Sequence, residues 1–335
     1  MSHTFCYAGC DVSKNHLDVV LHQAPGRPCY KQFANTPAGH QQLIQWIVQD
    51  GLPVRVGVEA TGTYSLDLTL ALDAEKQIQL MVINPRATRR FAEAQIQRSK
   101  TDRIDADTLC MFVQRMIFHE WQPPAPELLQ LRGIARRIDA LTDEHQREQL
   151  RRHAAEASQT TPPVVLNDIE VNLRHLSRRI DEMLRQALRI VKSHAALSEA
   201  FTLLTSVRGI AEKSAVLLLP ELGVLPETMT VRQWVAHAGL DPRKHRSGSS
   251  VDQRERISKV GNVRIRRALY MPALVAIRCE PRVRAFYNKL LDRGKKPIVA
   301  VVAVMRKLLH SIYGMFKHGA PFDGDKFYQP PVEMP

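Results

Sequence analysis

Residues 123–126 read Pro-Pro-Ala-Pro. Three prolines in four residues continue neither an α-helix nor a central strand, because each ring fixes φ and removes a backbone donor. The stretch from Trp121 to Pro126 is therefore a linker, and the 335-residue chain has a front and a back. Its length allows about two or three domains with buried cores.

In front of the linker the apolar runs are short. Residues 5–11, 17–21 and 29–33 read as strands of a meander, with a turn at Ala24-Pro25-Gly26. Residues 37–48 have helical spacing, 54–58 form a buried-strand pattern ending at Glu59, and 64–75 read as a helix. Residues 78–83 are strand-like, Asn84-Pro85 breaks the run, and a helix over 101–118 closes the unit. A meander followed by alternating strands and helices predicts an α/β domain with a mixed sheet over residues 1–120.

Behind the linker the pattern is helical. A helix is expected from Glu127 to about Ser158, then a turn at Thr160-Thr161-Pro162-Pro163, then a second helix. In that second helix Ile169, Leu173, Leu176, Ile180, Met183, Ala187 and Ile190 recur in alternating steps of four and three, a heptad seam. Two long helices joined by a tight turn make residues 121–200 a linker and an antiparallel coiled-coil arm. The arm is either an internal helical hairpin or a dimerisation element. Residues 201–335 read as a mostly α-helical domain, with Val207-Arg208-Gly209-Ile210-Ala211 as either a phosphate-facing helix-hairpin-helix turn or a plain loop.

Charge is distributed unevenly. Residues 1–120 hold 12 Lys and Arg against 12 acids, 121–200 hold 12 against 11, and 201–335 hold 23 against 11, so the last segment carries nearly all of the net charge of +13. An excess confined to one third of a chain is the footprint of a polyanion-binding surface, with nucleic acid the leading partner and a membrane the weaker one. Five cysteines with no CxxC pair suit a reducing compartment. The first residues lack a signal-peptide pattern, and the longest apolar run, 298–305, is far short of the roughly 20 residues that span a bilayer. The expectation is a cytoplasmic, nucleoid-associated protein.

Four acids stand out. Asp11 and Glu59 each end an apolar strand, while Asp102 and Asp105 lie three apart on one face of a predicted helix. Carboxylates gathered at strand ends repel one another unless cations intervene. Magnesium suits such hard oxygen donors, and two ions can activate the attacking oxygen and stabilise the leaving one in phosphoryl transfer. Taken singly, Asp11 is equally a strand-end cap and Asp102 a helix N-terminal acid. Asp18, Asp67 and Asp107 read as solvated.

The back half holds a second candidate. Residues 243–267 contain nine Lys or Arg against two acids and include Ser247-Gly248-Ser249-Ser250. A serine hydroxyl becomes a nucleophile where cations stabilise the attacked phosphate, and Arg243, Lys244 and Arg246 could supply them. Arg254, Arg256, Lys259, Arg264, Arg266 and Arg267 extend the basic surface. A Gly/Ser loop that only grips the DNA backbone is the alternative.

These motifs together resemble the DEDD transposases of insertion sequences, a family that includes Piv-type DNA invertases and bridge-RNA-guided recombinases. The resemblance rests on Gly9-Cys10-Asp11, Val58-Glu59-Ala60-Thr61-Gly62-Thr63-Tyr64, Ile83-Asn84-Pro85 and Lys100-Thr101-Asp102-Arg103-Ile104-Asp105-Ala106. Behind the linker it rests on Ala238-Gly239-Leu240, Ser247-Gly248-Ser249-Ser250, Ala268-Leu269-Tyr270-Met271-Pro272 and Met305-Arg306-Lys307-Leu308.

The resemblance implies an RNase H-like (RuvC-like) front domain in which Asp11, Glu59, Asp102 and Asp105 hold Mg2+, two ions per site. It implies that Ser247 is the nucleophile of a covalent serine–DNA step. Double-stranded DNA, donor and target, a structured guide RNA, and a homo-oligomer (dimer or tetramer) with composite active sites follow as implied partners. The rival readings are a Holliday-junction-type RuvC-like nuclease that uses water, a DNA invertase working without guide RNA, and a nucleic-acid-binding scaffold whose carboxylates are structural.

Overall fold

The computed structural model describes residues 5–23, 26–60, 62, 64–97, 99, 101–247 and 251–329, with side chains described outside 244–247 and 251–255. The chain forms two compact units, Met1–Pro123 and Pro124–Pro335.

The first unit opens with strands β1 (Cys6–Val12), β2 (His16–His22) and β3 (Cys29–Ala34), as the meander pattern predicts. Helix α1 (Pro37–Val48) follows, with Pro37 in its first turn and the Thr36 hydroxyl accepting from the Gly39 N–H at 3.2 Å. Next come β4 (Val54–Glu59), α2 (Leu66–Asp73) and β5 (Ile78–Ile83). The sheet order is β3-β2-β1-β4-β5. β1 and β3 run antiparallel to β2, and β4 runs parallel to both β1 and β5. Leu17, Val19, Leu21, Leu43, Val54, Val56 and Leu68 are among the buried residues of its core.

Asn84-Pro85 ends the β5 run, and it also starts a helix that the sequence reading lacks, α3 (Pro85–Ala94). The Asn84 side chain accepts from the Arg86 N–H at 2.9 Å, and proline occupies the first helical position, where its missing N–H costs nothing. Helix α4 (Asp102–Arg115) closes the unit, stopping three residues earlier than expected.

The second unit begins with α5 (Pro126–Glu156) and α6 (Pro163–Ser193), each of 31 residues and packed against one another. Ile169, Leu173, Leu176, Ile180 and Ala187 of the heptad seam are buried within the single chain. The pair is also joined by Ser177 Oγ to His145 Nε2 at 3.1 Å and Arg152 to Glu170 at 3.3 Å. The rest is α7 (Ala195–Thr205), α8 (Glu212–Gly223), α9 (Val231–His237), a hairpin of β6 (Pro242–Ser247) and β7 (Val251–Ile257), then α10 (Val263–Cys279), α11 (Pro281–Asp292), α12 (Pro297–His318) and α13 (Gly324–Phe327). The hairpin is an addition to the mostly helical domain that the sequence predicts. Gly209, in the turn before α8, takes φ of 119°, and a side chain there would press on the Pro272 carbonyl of α10.

Among the described residues α12 alone is long and apolar enough to cross a membrane, contrary to the count of consecutive apolar residues. Its Ala300, Val304, Leu308, Leu309 and Ile312 are fully buried in the core of this unit.

Candidate functional site

The strand and helix geometry brings the acids of the first unit together. In the parallel pairing of β1 with β4, Cys10 lies opposite Val58, so Asp11 and Glu59 follow one step on at neighbouring strand ends. Thr101 caps α4 by accepting from the Ile104 N–H at 3.3 Å, which places Asp102 and Asp105 in the first turn, where the helix dipole favours negative charge. Two glycines let α4 lie directly on the sheet. A methyl group at Gly9 would overlap the Ala106 carbonyl oxygen, and one at Gly57 would overlap the Val113 side chain. The Cys110 thiol donates to the Tyr7 carbonyl at 3.3 Å along the same contact.

The electrostatics record the convergence. The half-buried Asp11 carboxyl is pushed up to about 6, first by burial and then by the charges of Asp105, Asp102, Glu59 and Asp18. The other three acids singled out in the sequence therefore all act on Asp11.

Asp18 is a correction to the sequence reading. It is buried rather than solvated, sits opposite Asp11 across β1 and β2, and accepts from Tyr30 Oη at 2.5 Å and Gln32 Nε2 at 3.1 Å. The available signal was its place inside the apolar run of β2, where an unpartnered carboxylate would be costly. Asp67 is exposed and Asp107 half-buried.

The donor set fits a hard divalent cation by charge and chemistry, since crowded carboxylates gain most from one. Among the described residues, however, no group of three or more His, Cys, Asp or Glu is arranged so that it could hold a metal ion.

In the second unit Ser247 is the last residue of β6, in register with Val251. Gly248, Ser249 and Ser250 lie outside the described residues, as do the side chains of Ser247, Lys244, Arg246 and Arg254. Arg243 and Arg256 are exposed and face one another across the two strands, a like-charge pairing that a bound anion would relieve. Lys259 is exposed in the left-handed region, with φ of 53°.

The base of the hairpin is tightly held. Ser258 Oγ donates to Asp241 Oδ1 at 2.5 Å, and the Asn262 N–H donates to the His237 carbonyl at 2.6 Å. Gly261, at φ of 120°, lies where any side chain would strike that carbonyl. Arg266 donates to the Ala238 carbonyl at 2.8 Å, Arg264 stands 3.7 Å from Asp139, and Arg267 pairs with Asp139 and Asp143 of α5. These three arginines of the predicted basic surface are thus engaged inside the unit, unlike Arg243 and Arg256.

The buried Glu221 of α8, which the sequence reading passed over, joins three elements. It accepts from Arg136 at 2.9 Å, Arg132 at 3.1 Å and Asn262 Nδ2 at 2.8 Å. Burial alone would raise its pKa, but the bonds from Arg136 and Arg132 and the charge of Arg132 prevail and hold it near about 2.

Comparison with known proteins agrees with both halves. Residues 8–162 match the IS110 DEDD transposase model, and residues 201–288 match the transposase model of the IS116/IS110/IS902 family. The pilin gene-inverting proteins of Moraxella bovis and Moraxella lacunata are each 26% identical over 324 residues, covering 95% of this chain and 97% of theirs. The transposase for insertion sequence element IS1328 of Yersinia enterocolitica is 26% identical over 272 residues, covering 73% of this chain and 78% of its own. With two family models matched in order along the sequence, the chain belongs to the IS110 family of transposases and is a DNA recombinase.

Proposed function

We propose that this protein is a site-specific recombinase of an insertion sequence that cuts and rejoins double-stranded DNA, donor and target, through a covalent serine–DNA link. The observation that carries the reading is the convergence of Asp105, Asp102 and Glu59 on Asp11, whose carboxyl is pushed up to about 6 first by its burial and then by these charges. The first unit is read as an RNase H-like (RuvC-like) domain, which its strand order and strand senses support. By function the chain divides into a catalytic domain (1–120), a linker and coiled-coil arm (121–200) and a serine domain (201–335).

Asp11, Glu59, Asp102 and Asp105 would hold magnesium, two ions per site, and when bound it supplies positive charge against the scissile phosphate. The chain's own groups do the rest. Arg243, Lys244, Arg246, Arg254, Arg256 and Lys259 hold the phosphodiester backbone, while Arg264, Arg266 and Arg267 brace the hairpin and add positive potential. Ser247 Oγ attacks phosphorus. The Oγ–P bond forms, the bond from phosphorus to one deoxyribose oxygen breaks, and the serine proton ends on that departing oxygen. The serine ester conserves the bond energy, so a second strand's hydroxyl can displace serine and reseal the DNA without an external energy source.

The carboxylates of one subunit would act with the serine of another in a dimer or tetramer. A structured guide RNA from the element's flank would select donor and target, in the cytoplasm and without a membrane partner. Both statements rest on the family resemblance. Inversion without a guide RNA is the second reading, favoured by the two relatives whose names describe pilin gene inversion.

The test is substitution of each acid in turn. Asp11→Asn, Glu59→Gln, Asp102→Asn and Asp105→Asn should each abolish recombination while leaving the fold intact, since losing a metal ligand costs several kcal/mol of transition-state stabilisation. Chelation of divalent cations should do the same to the wild type. Near-normal activity in any one variant removes that residue from the ligand set.

A further inference from the structure

Asp18 opposes Asp11 across β1 and β2, and Val20 opposes Gly9 in the same register. In β3, Gln32 pairs with Asp18 and Tyr30 with Val20. Directly paired residues share a sheet face, and so do alternate residues along a strand, so these residues of three strands lie on one side. That side is the one α4 covers. Val20 is buried with Ala106 and Cys110 of the helix, and a side chain on Gly9 would meet the Ala106 carbonyl.

Tyr30 joins this face to the first turn of α4. Its hydroxyl donates to Asp18 Oδ1 at 2.5 Å, beside the bond from Gln32 Nε2 at 3.1 Å, and the Arg103 guanidinium lies over its ring at 5.2 Å. A cation at that distance is attracted to the face of the ring. Arg103 belongs to the same helical turn as Asp102 and Asp105. Asp18 is only 3% exposed, so its carboxylate depends on the donors that β3 supplies. The Tyr30 hydroxyl is pushed above its ordinary pKa first by the bond to Asp18, then by burial and the charges of Asp18 and Asp102, against the lowering effect of Arg103. The phenol therefore stands between the buried acid of β2 and the acidic end of α4. That end needs holding, because helix termini fray and its carboxylates face the like charge of Asp11.

We propose that Asp18, Tyr30 and Arg103 form a positioning bridge that holds the first turn of α4, with Asp102 and Asp105, against Asp11. The three residues act through the acids rather than on the substrate. The bridge has two links in series, the Tyr30 hydroxyl on Asp18 and the Tyr30 ring under Arg103, so breaking either one releases the turn. Its use in the reaction rests on the four acids being the cation site.

The experiment uses the full-length protein, with Mn2+ binding by calorimetry, hydrogen exchange of peptides covering residues 101–106, and recombination at varied Mg2+. Tyr30→Phe keeps the ring and removes the hydroxyl, while Arg103→Gln removes the cation; both positions are exposed, so melting should stay close to wild type. Each variant should bind Mn2+ about tenfold more weakly and exchange faster over 101–106. Each should also need more Mg2+ for half-maximal recombination, with most of the rate recovered at saturating Mg2+. The double variant should be no worse than either single one, because the links are in series. Arg103→Lys keeps a cation over the ring and should restore most of the affinity. Should Tyr30→Phe fold poorly, Arg103→Gln and its rescue by Arg103→Lys carry the test. Wild-type Mn2+ affinity in both single variants overturns the bridge, as do losses that add in the double variant. Faster exchange with an unchanged metal requirement overturns it too, leaving a contact that serves stability alone. A fall in DNA affinity of Arg103→Gln with Mn2+ binding intact would make Arg103 a phosphate contact instead. Asp11→Asn separates the two readings: if it binds Mn2+ like the wild type, the cation site and the bridge fall together. If it loses Mn2+ while Tyr30→Phe and Arg103→Gln keep it, only the bridge fails.

Discussion

Asn262 donates its side-chain amide to Glu221 Oε2 at 2.8 Å while its own Oδ1 accepts from the Arg264 N–H at 2.9 Å. One residue thus caps α10, just beyond the serine hairpin, and binds the carboxylate that Arg132 and Arg136 of α5 also hold. The long helical pair and the hairpin base are joined through a single buried charge.

That charge makes a pH prediction. Glu221 is held at about 2, below the ordinary 4.5 of a glutamate, so the unfolded chain binds its proton more readily than the folded one. Its contribution, on the order of 3 kcal/mol, is complete above about pH 4.5 and disappears as pH falls toward about 2. Glu221→Gln should lower stability at neutral pH by about 3 kcal/mol, because Arg132 and Arg136 lose their counter-ion. The stabilities of the two proteins from denaturant titrations should converge as pH drops from about 4.5 toward about 2. A constant gap across that window would mean that Glu221 carries no depressed pKa.

The contact between β1 and α4 makes the second prediction. Gly9→Ala places a methyl group on the Ala106 carbonyl, so the helix carrying Asp102 and Asp105 must move away from Asp11. Overpacking of this kind costs typically 1–3 kcal/mol, and the displaced acids should cost activity beyond that. Recombination rates and melting temperature measured together should both fall. Unchanged activity in a folded Gly9→Ala protein would mean that this spacing is not used.

Arginines 243 and 256 should behave differently from 264 and 267. Arg243→Gln with Arg256→Gln should leave stability within about 0.5 kcal/mol and flatten the log–log salt dependence of duplex binding by about 0.9 per lost phosphate contact. Arg267→Gln breaks pairs to Asp139 and Asp143, whose carboxyl is held below its usual range first by the Arg267 hydrogen bond. These groups are partly exposed, so the cost should stay near 1 kcal/mol or below, with a smaller change in salt slope. The reverse pattern would reassign which face of the hairpin base meets DNA.

Much of this was legible in the residues. The strands of the first unit follow from short apolar runs, and the acids at their ends from the points where those runs stop. What escaped was what depends on partners distant in sequence. Asp18 looks like any surface acid until Tyr30 and Gln32, 12 and 14 residues on, close over it. Glu221 sits in an apolar helix whose charge makes sense only with Arg132 and Arg136, more than 80 residues earlier. The β6–β7 hairpin is rich in arginine and lysine, so no apolar alternation marks it, and its strands are held by pairing and by their anchored base. The heptad seam was readable as a seam but not as to its partner; within one chain Leu173 and Leu176 are buried.

The central claim is that Ser247 attacks DNA. Wild-type protein incubated with magnesium and end-labelled substrate, then denatured, digested and examined by mass spectrometry, should yield a DNA-linked peptide carrying the adduct on Ser247. Ser247→Ala removes one oxygen and no charge, so it should fold, bind DNA and form no adduct or recombinant product. Full recombination by Ser247→Ala, with no adduct on any residue, would contradict the account and leave a water-using nuclease in its place.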